Sequence, residues 1–232
     1  LLSAAGAQEK PLVPVIVKDQ SAHFWKIVLA GAKAAGADLG LNVVAGSGTS
    51  EQDVAGQIKL LQDAVTNKAV AIVVAPTQYT ALGPAIDEAA KHVPVVVIDS
   101  GVASLTMKSM LATDNVAAGR LAADAMAQAI AKKYQAASGE VAIVNFLPGA
   151  GSLVDRSKGF KDQLFSKHPE LTVVDERNGD GTDASIEPVV AALLKEHPTL
   201  HGIFASKQAA AEVTAAALKS ANLADTIKLV GF

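Results

Sequence analysis

The amino-acid sequence predicts an α/β protein of two lobes, each a parallel sheet flanked by helices. Three observations predict it. Short apolar runs rich in valine and isoleucine alternate with Ala-rich stretches at helical spacing, the signature of βαβ units. About nine such runs occur, more than one common open sheet carries. The rhythm breaks once, across the polar stretch Gly101 to Lys108. A lobe crossing therefore falls near Leu111-Ala112-Thr113, with residues 12–112 as the first lobe and 113–232 as the second.

Each element has its own reason. Val13 to Val17 is short and β-branched, hence a strand. Ala22 to Leu39 carries Phe24, Ile27, Val28, Ala35 and Leu39 at helical spacing. Leu41 to Ala45 is the next strand. Ser50-Glu51-Gln52-Asp53 resembles a capping box and opens a helix running to about Asn67. Val70 to Ala75 is unbroken apolar sequence, as expected of a strand covered on both faces. Tyr79 to Lys91 reads as helix, Pro94 to Ile98 as strand, and Met110 to Ala112 as a shorter strand. Asp114 or Asn115 caps a helix extending to about Ala137. Val141 to Phe146 is strand, and Leu153 to His168 is helix with Phe160, Leu164 and Phe165 on one side. Leu171 to Asp175 is strand. Ile186 to His197 is helix, with Pro188 in its opening turn. Leu200 to Ala205, Gln208 to Ala221 and Ile227 to Phe232 complete the series as strand, helix and strand.

Composition narrows the function classes. Half of the 232 residues are apolar, 19% are charged and the mean hydropathy is +0.30, which excludes a disordered chain. No apolar run approaches the ~18 residues of a membrane span. A net charge of −3 offers no basic stripe for nucleic acid. Without cysteine there is no disulfide, thiolate nucleophile or zinc-thiolate site. The start, Leu1-Leu2-Ser3-Ala4-Ala5-Gly6-Ala7-Gln8, looks like the tail of a secretory signal peptide. Residues 1–11 are thus expected to be a signal-peptide remnant or a disordered terminus, and the protein periplasmic or otherwise extracytoplasmic.

In parallel α/β sheets, ligands gather beyond the carboxyl ends of the strands. The residues there are the site candidates. Lys18 and Asp19 follow the first strand, and Phe24-Trp25 the turn after it. Aromatics make up only 4% of the chain, so this pair is a candidate flat platform for the C–H face of a sugar. Core packing is the alternative. Thr77 follows the third strand. Asp99 ends the apolar run Val95-Val96-Val97-Ile98, where a carboxylate is desolvated unless it accepts hydrogen bonds. It is placed either to take two adjacent ligand hydroxyls or to cap the next turn. Arg156 follows the loop Gly149-Ala150-Gly151-Ser152. Its fork suits hydroxyls or a carboxylate, or else an ion pair with Asp155 or Asp183. Lys207 opens a helix, where a cation opposes the dipole. It is either a ligand contact or a solvated lysine.

Other chemistries lack their motifs. Gly149-Ala150-Gly151 has neither the Walker lysine nor a third glycine. His23, His92, His168, His197 and His201 show no metal-ligand spacing and read as caps and surface residues. No serine sits in a nucleophile elbow. No catalytic residue, cofactor or metal is expected.

Several motifs in order carry a family resemblance. They are Lys18-x5-Phe24-Trp25, Ala75-Pro76-Thr77, Pro94-Val95-Val96-Val97-Ile98-Asp99-Ser100-Gly101, Thr113-Asp114-Asn115-x3-Gly119-Arg120, Asp155-Arg156-x2-Gly159-Phe160, Gly202-Ile203-Phe204-Ala205-Ser206 and Leu229-Val230-Gly231-Phe232. Over residues 12–232 the chain resembles the periplasmic sugar-binding proteins of the ribose-binding type, the capture components of ABC importers. The resemblance implies two Rossmann-like lobes, a ligand cleft between them, and closure by a hinge. It implies that Phe24 and Trp25 sandwich a sugar, that Asp99 binds ring hydroxyls with Thr77 near it, and that Arg156 reaches in from the second lobe. Lys207 stands where the family usually has asparagine, Lys18 where a small polar residue is common, and Ser100 where the ribose binder has arginine.

Those departures raise the expectation of a sugar acid or other anionic polyol, offset by Lys18, Arg156 and Lys207. The expected partners are that ligand and the membrane subunits of an importer, with the protein itself a monomer. A ligand-sensing domain of a signalling or transcription-regulator system shares the fold and is the alternative. Full family members continue past the Val-Gly-Phe strand to recross the hinge. The resemblance therefore implies a missing C-terminal return segment, and with it an exposed apolar edge on the first lobe.

Overall fold

Val and Ile runs become strands because branched side chains pack well on a pleated surface, and the Ala-rich stretches between them become helices. The structure, a computed structural model, describes residues 9–232. The leader-like Leu1 to Gln8 lies outside them. The boundary between the two compact units falls between Leu111 and Ala112.

In the first unit the order is β1 (Leu12–Val17), α1 (His23–Leu39), β2 (Asn42–Ser47), α2 (Val54–Thr66), β3 (Ile72–Val74), α3 (Gly83–Ala90), β4 (Val95–Ile98) and β5 (Ser109–Leu111). The five strands form one sheet ordered β2-β1-β3-β4-β5, parallel throughout. One face buries Ile16, Ile72, Val74, Val95 and Val97 with Leu61, Leu82 and Ile86 of the helices. The other face packs Val15, Val17 and Ala75 around Trp25 and Leu29 of α1. At the free edge, all three residues of β5 are exposed, and Leu105 ahead of it is fully so.

The second unit runs α4 (Asn115–Tyr134), β6 (Gly139–Asn145), α5 (Gly151–Lys167), β7 (Leu171–Asn178), α6 (Asp183–Glu196), β8 (Leu200–Ala205), α7 (Gln208–Ser220) and β9 (Lys228–Gly231). Its parallel sheet is ordered β7-β6-β8-β9. Phe160 and Phe204 stack at 4.6 Å on one face, while Ile186, Val190, Leu193 and Ile203 fill the other. β7 carries a bulge: Val141 pairs with Val173 but Ala142 with Asp175, so Val174 is the extra residue.

Four local expectations are corrected. The cap of α2 is Asp53, whose carboxylate accepts from Gly56 N at 2.8 Å. Ser50 lies in the turn ahead of it. α3 starts at Gly83 rather than Tyr79, because Pro84 lacks an N–H and suits only a first turn. α4 stops at Tyr134, where Gln135 turns left-handed at φ 63°. α6 begins at Asp183, so Pro188 lies inside the helix, not in its opening turn.

Candidate ligand-binding site

The parallel sheets bring the candidate residues to strand ends. In the first unit, β1 delivers Lys18 and β4 delivers Asp99 from across the sheet. Lys18 is only 6% exposed. Its Nζ donates to Asp99 Oδ2 at 2.7 Å and to Ser100 Oγ at 2.7 Å. Ser100 Oγ in turn donates to Asp99 Oδ2 at 2.8 Å. The carboxylate that the apolar strand would otherwise desolvate is thus held by a buried cation and a hydroxyl. Asp99 sits at φ 66°, a left-handed conformation that Asp tolerates better than branched residues do. Its N–H donates to Leu111 O at 3.0 Å, which ties the turn to β5.

The aromatic pair is not a flat platform. Phe24 and Trp25 meet edge to face, with centroids 4.8 Å apart and planes at 77°. Trp25 is 3% exposed and packs with Val15, Val17, Leu29 and Ala75. Its ring also lies 5.8 Å from Lys18 Nζ, within cation–π reach. Phe24, by contrast, is 52% exposed. Adjacent residues on a helix point about 100° apart, so one faces the core when the other faces out.

Thr77 is buried and donates its hydroxyl to Glu51 O. Its own N–H donates to Gln57 Oε1 at 3.0 Å, while Gln57 Nε2 donates to Val17 O and Ala75 O. A single buried amide therefore fastens the ends of β1 and β3 just before Lys18 and Thr77.

In the second unit, the second turn of α5 and the end of β8 meet at Arg156. Arg156 Nε donates to Asn115 Oδ1 at 2.9 Å, and Nη1 donates to Ser206 O at 2.8 Å. The guanidinium carbon lies 3.5 Å from the Phe232 ring centroid. Asn145, buried at the end of β6, accepts from Ser157 Oγ at 3.0 Å and Ser206 Oγ at 2.5 Å. Its Nδ2 donates to Glu176 Oε1. Lys207 is the N-cap residue of α7, with Nζ 4.1 Å over the Phe146 ring. Burial, and after it the charge of Asp114, hold the Asp155 carboxyl above its ordinary pKa.

Gln57, Asn115, Asn145 and Ser206 were missed as site-supporting residues. Asn145 and Ser206 also sit at strand carboxyl ends, and that position was the signal available. The histidines at helix ends behave as caps: His168 closes α5 and faces Asp124, and His197 closes α6 and faces Asp175. Asp175, Glu196 and His197 cluster closely enough for a cation. However, the Arg177 guanidinium donates to both carboxylates and occupies that role. Among the described residues no helix is long and apolar enough to cross a membrane.

Known proteins share this fold. Residues 13–232 match the family model of the periplasmic binding protein domain. A ribose import binding protein of Haemophilus influenzae is 28% identical, over 99% of this chain and 75% of its own length. A solved carbohydrate transporter solute-binding protein of Agrobacterium radiobacter, in complex with D-arabinose, is 42% identical. It superposes with a TM-score of 0.94, over 97% of this chain and 77% of that one. An ABC transporter solute-binding protein of Agrobacterium vitis with bound D-fucose is 32% identical, TM-score 0.87, over 95% and 76%. The chain spans about three quarters of these relatives. It belongs to the periplasmic binding protein family, within the group of sugar ABC transporter solute-binding proteins.

Proposed function

We infer that the protein captures an uncharged sugar or cyclic polyol in the periplasm and hands it, as a monomer, to the membrane subunits of an ABC importer. The observation that carries the ligand class is the Lys18–Asp99–Ser100 group. The expectation of an acidic ligand counted Lys18 as surplus positive charge, but Lys18 spends that charge on Asp99 at 2.7 Å. What remains in the first lobe is a compensated carboxylate with acceptor lone pairs, which suits hydroxyl donors better than a second anion. The relatives bound to D-arabinose and D-fucose support the same class.

In this reading the exposed Phe24 ring covers a C–H face of the sugar, and Asp99 accepts from ring hydroxyls. Arg156 and Lys207 donate from the second lobe. Lys18, Trp25 and Thr77 act from behind, as the supports that fix strand ends and charge. No bond is broken. Contacts drawn from both lobes exist together only when the lobes close on the ligand, so the ligand shifts the open–closed equilibrium by its differential affinity.

A thermal-stability screen of the purified protein against D-arabinose, D-fucose, D-ribose, D-allose, myo-inositol and the aldonic acids tests the reading. A true ligand at 100 times its Kd adds about 2.7 kcal/mol to stability. Silence across the panel overturns the sugar-binding reading. A larger response to an acid than to its parent sugar overturns the uncharged class. Recovery of chemically altered sugar overturns pure binding.

A further inference from the structure

Helices α4 and α5 approach more closely than any side chain at their crossing would permit. A Cβ on Gly119 of α4 would lie 2.1 Å from Arg156 O, and one on Gly159 of α5 would lie 2.0 Å from Val116 O. The contact is reciprocal: each glycine admits the other helix's backbone, Gly119 about one turn and Gly159 about two turns from its helix start. Its consequence lies at those starts. The approach brings Asn115, the first residue of α4, against Arg156 in the first turns of α5. Asn115 is 4% exposed. Its Nδ2 donates to Thr113 O at 3.1 Å, which fixes the amide so that Oδ1 faces Arg156 Nε at 2.9 Å.

We propose that Asn115 is a positioning residue for Arg156, and that the Gly119–Gly159 crossing sets its reach. An arginine side chain has four torsions, and ordering it costs up to about 2 kcal/mol of rotamer entropy. Asn115 on Nε, the Ser206 carbonyl on Nη1 and the Phe232 ring on the guanidinium face define its plane before any ligand arrives. The Ser206 arm is itself fixed, because Asn145 Oδ1 accepts the Ser206 hydroxyl. Asn115 acts through Arg156 and needs no contact with the ligand. The spacings Asn115-x3-Gly119 and Arg156-x2-Gly159 are then one device written on two helices.

The test has two arms, and only the second rests on the sugar-binding reading. In the first, the Arg156 Nε–H resonance of the 15N-labelled protein is assigned by its loss in Arg156→Lys. Asn115→Ala should shift it and speed its solvent exchange by about ten-fold or more, as expected for loss of a charge-assisted hydrogen bond. Asn115→Asp, which keeps an acceptor at the same place, should retain it. The Arg177 Nε–H, bound to Asp175, should stay unchanged in both and reports that the lobe is folded. Asn115→Ser serves if the alanine variant does not fold. In the second arm, Asn115→Ala should raise the Kd for D-arabinose about ten-fold in the native background but less than about two-fold in Arg156→Lys. An unmoved Arg156 resonance, or equal losses in both backgrounds, overturns the proposal. If the native protein does not bind D-arabinose, that sugar is struck from the ligand reading, and the resonance arm alone decides the positioning role.

Discussion

Lys18 and Asp99 lie 81 positions apart in sequence, yet their charged atoms meet at 2.7 Å, with the lysine side chain 7% and the aspartate side chain 19% exposed. Strand order accounts for it: β3 alone separates β1 from β4, and both run the same way. Removing one partner of such a pair strands the other. Lys18→Met should destabilise the protein by about 3 kcal/mol in urea titration. Lys18→Met with Asp99→Asn should recover part of that loss, because no lone buried charge remains.

The aromatic pair separates stability from binding. Trp25→Ala removes a ring packed in the core and should cost about 3–5 kcal/mol of stability. Phe24→Ala removes a half-exposed ring and should cost about 1 kcal/mol or less in the same titration. In sugar titration of the folded variants, Phe24→Ala should lose more affinity than the conservative Trp25→Phe, which keeps an aromatic ring in the core.

Gly119→Ala and Gly159→Ala each push a methyl group into facing backbone, where no flexible side chain can give way. Each should cost about 2 kcal/mol or more. The double variant should cost less than the sum of the two, since one separation of α4 from α5 relieves both clashes. Differential scanning calorimetry of the three variants checks this.

Asp155 supplies a pH dependence of unusual sign. Its carboxyl is raised in the folded protein by desolvation and by Asp114. The folded state therefore holds this proton more tightly than the unfolded chain does. That favours folding below the ordinary carboxylate pKa and is lost as pH rises through the folded value. Asp155→Asn should accordingly be more stable than the native protein at pH 7, with the difference vanishing near pH 3. Equal differences at both values would remove Asp155 as the cause.

Period and punctuation made much of the fold legible. Leu200 to Ala205 is a strand with the bounds its sequence predicts: a short segment ending in Ile203-Phe204-Ala205 lies between the punctuation of Pro198 and the polar pair Ser206-Lys207. The division between the two compact units comes just after the polar stretch Gly101 to Lys108 and β5, between Leu111 and Ala112. What escaped was set by contacts between distant segments. Phe24-Trp25 reads as a platform in one dimension, but helical geometry turns one ring inward. Lys18 reads as surplus charge until β4 brings Asp99 beside it. Pro84 is a local signal for the start of α3 at Gly83, later than the Tyr79 that the sequence reading gives. Asn115 belongs to the Thr113-Asp114-Asn115 motif at the start of α4, yet its partner Arg156 lies on another helix.

The irregularity in β7 bears on a problem unrelated to ligand. That strand forms one outer edge of the second sheet. A long, straight, apolar edge would template pairing with a neighbouring chain. Here the extra residue at Val174 breaks the regular ladder, and Asp175, Glu176 and Arg177 load the stretch beyond it with charge that Lys161, Glu196 and His197 hold in place. A second molecule offering its own strand would find hydrogen-bonding groups out of step and would have to desolvate paired ions. The bulge that spoils the sheet's regularity thus makes this edge a poor template for another chain's strand.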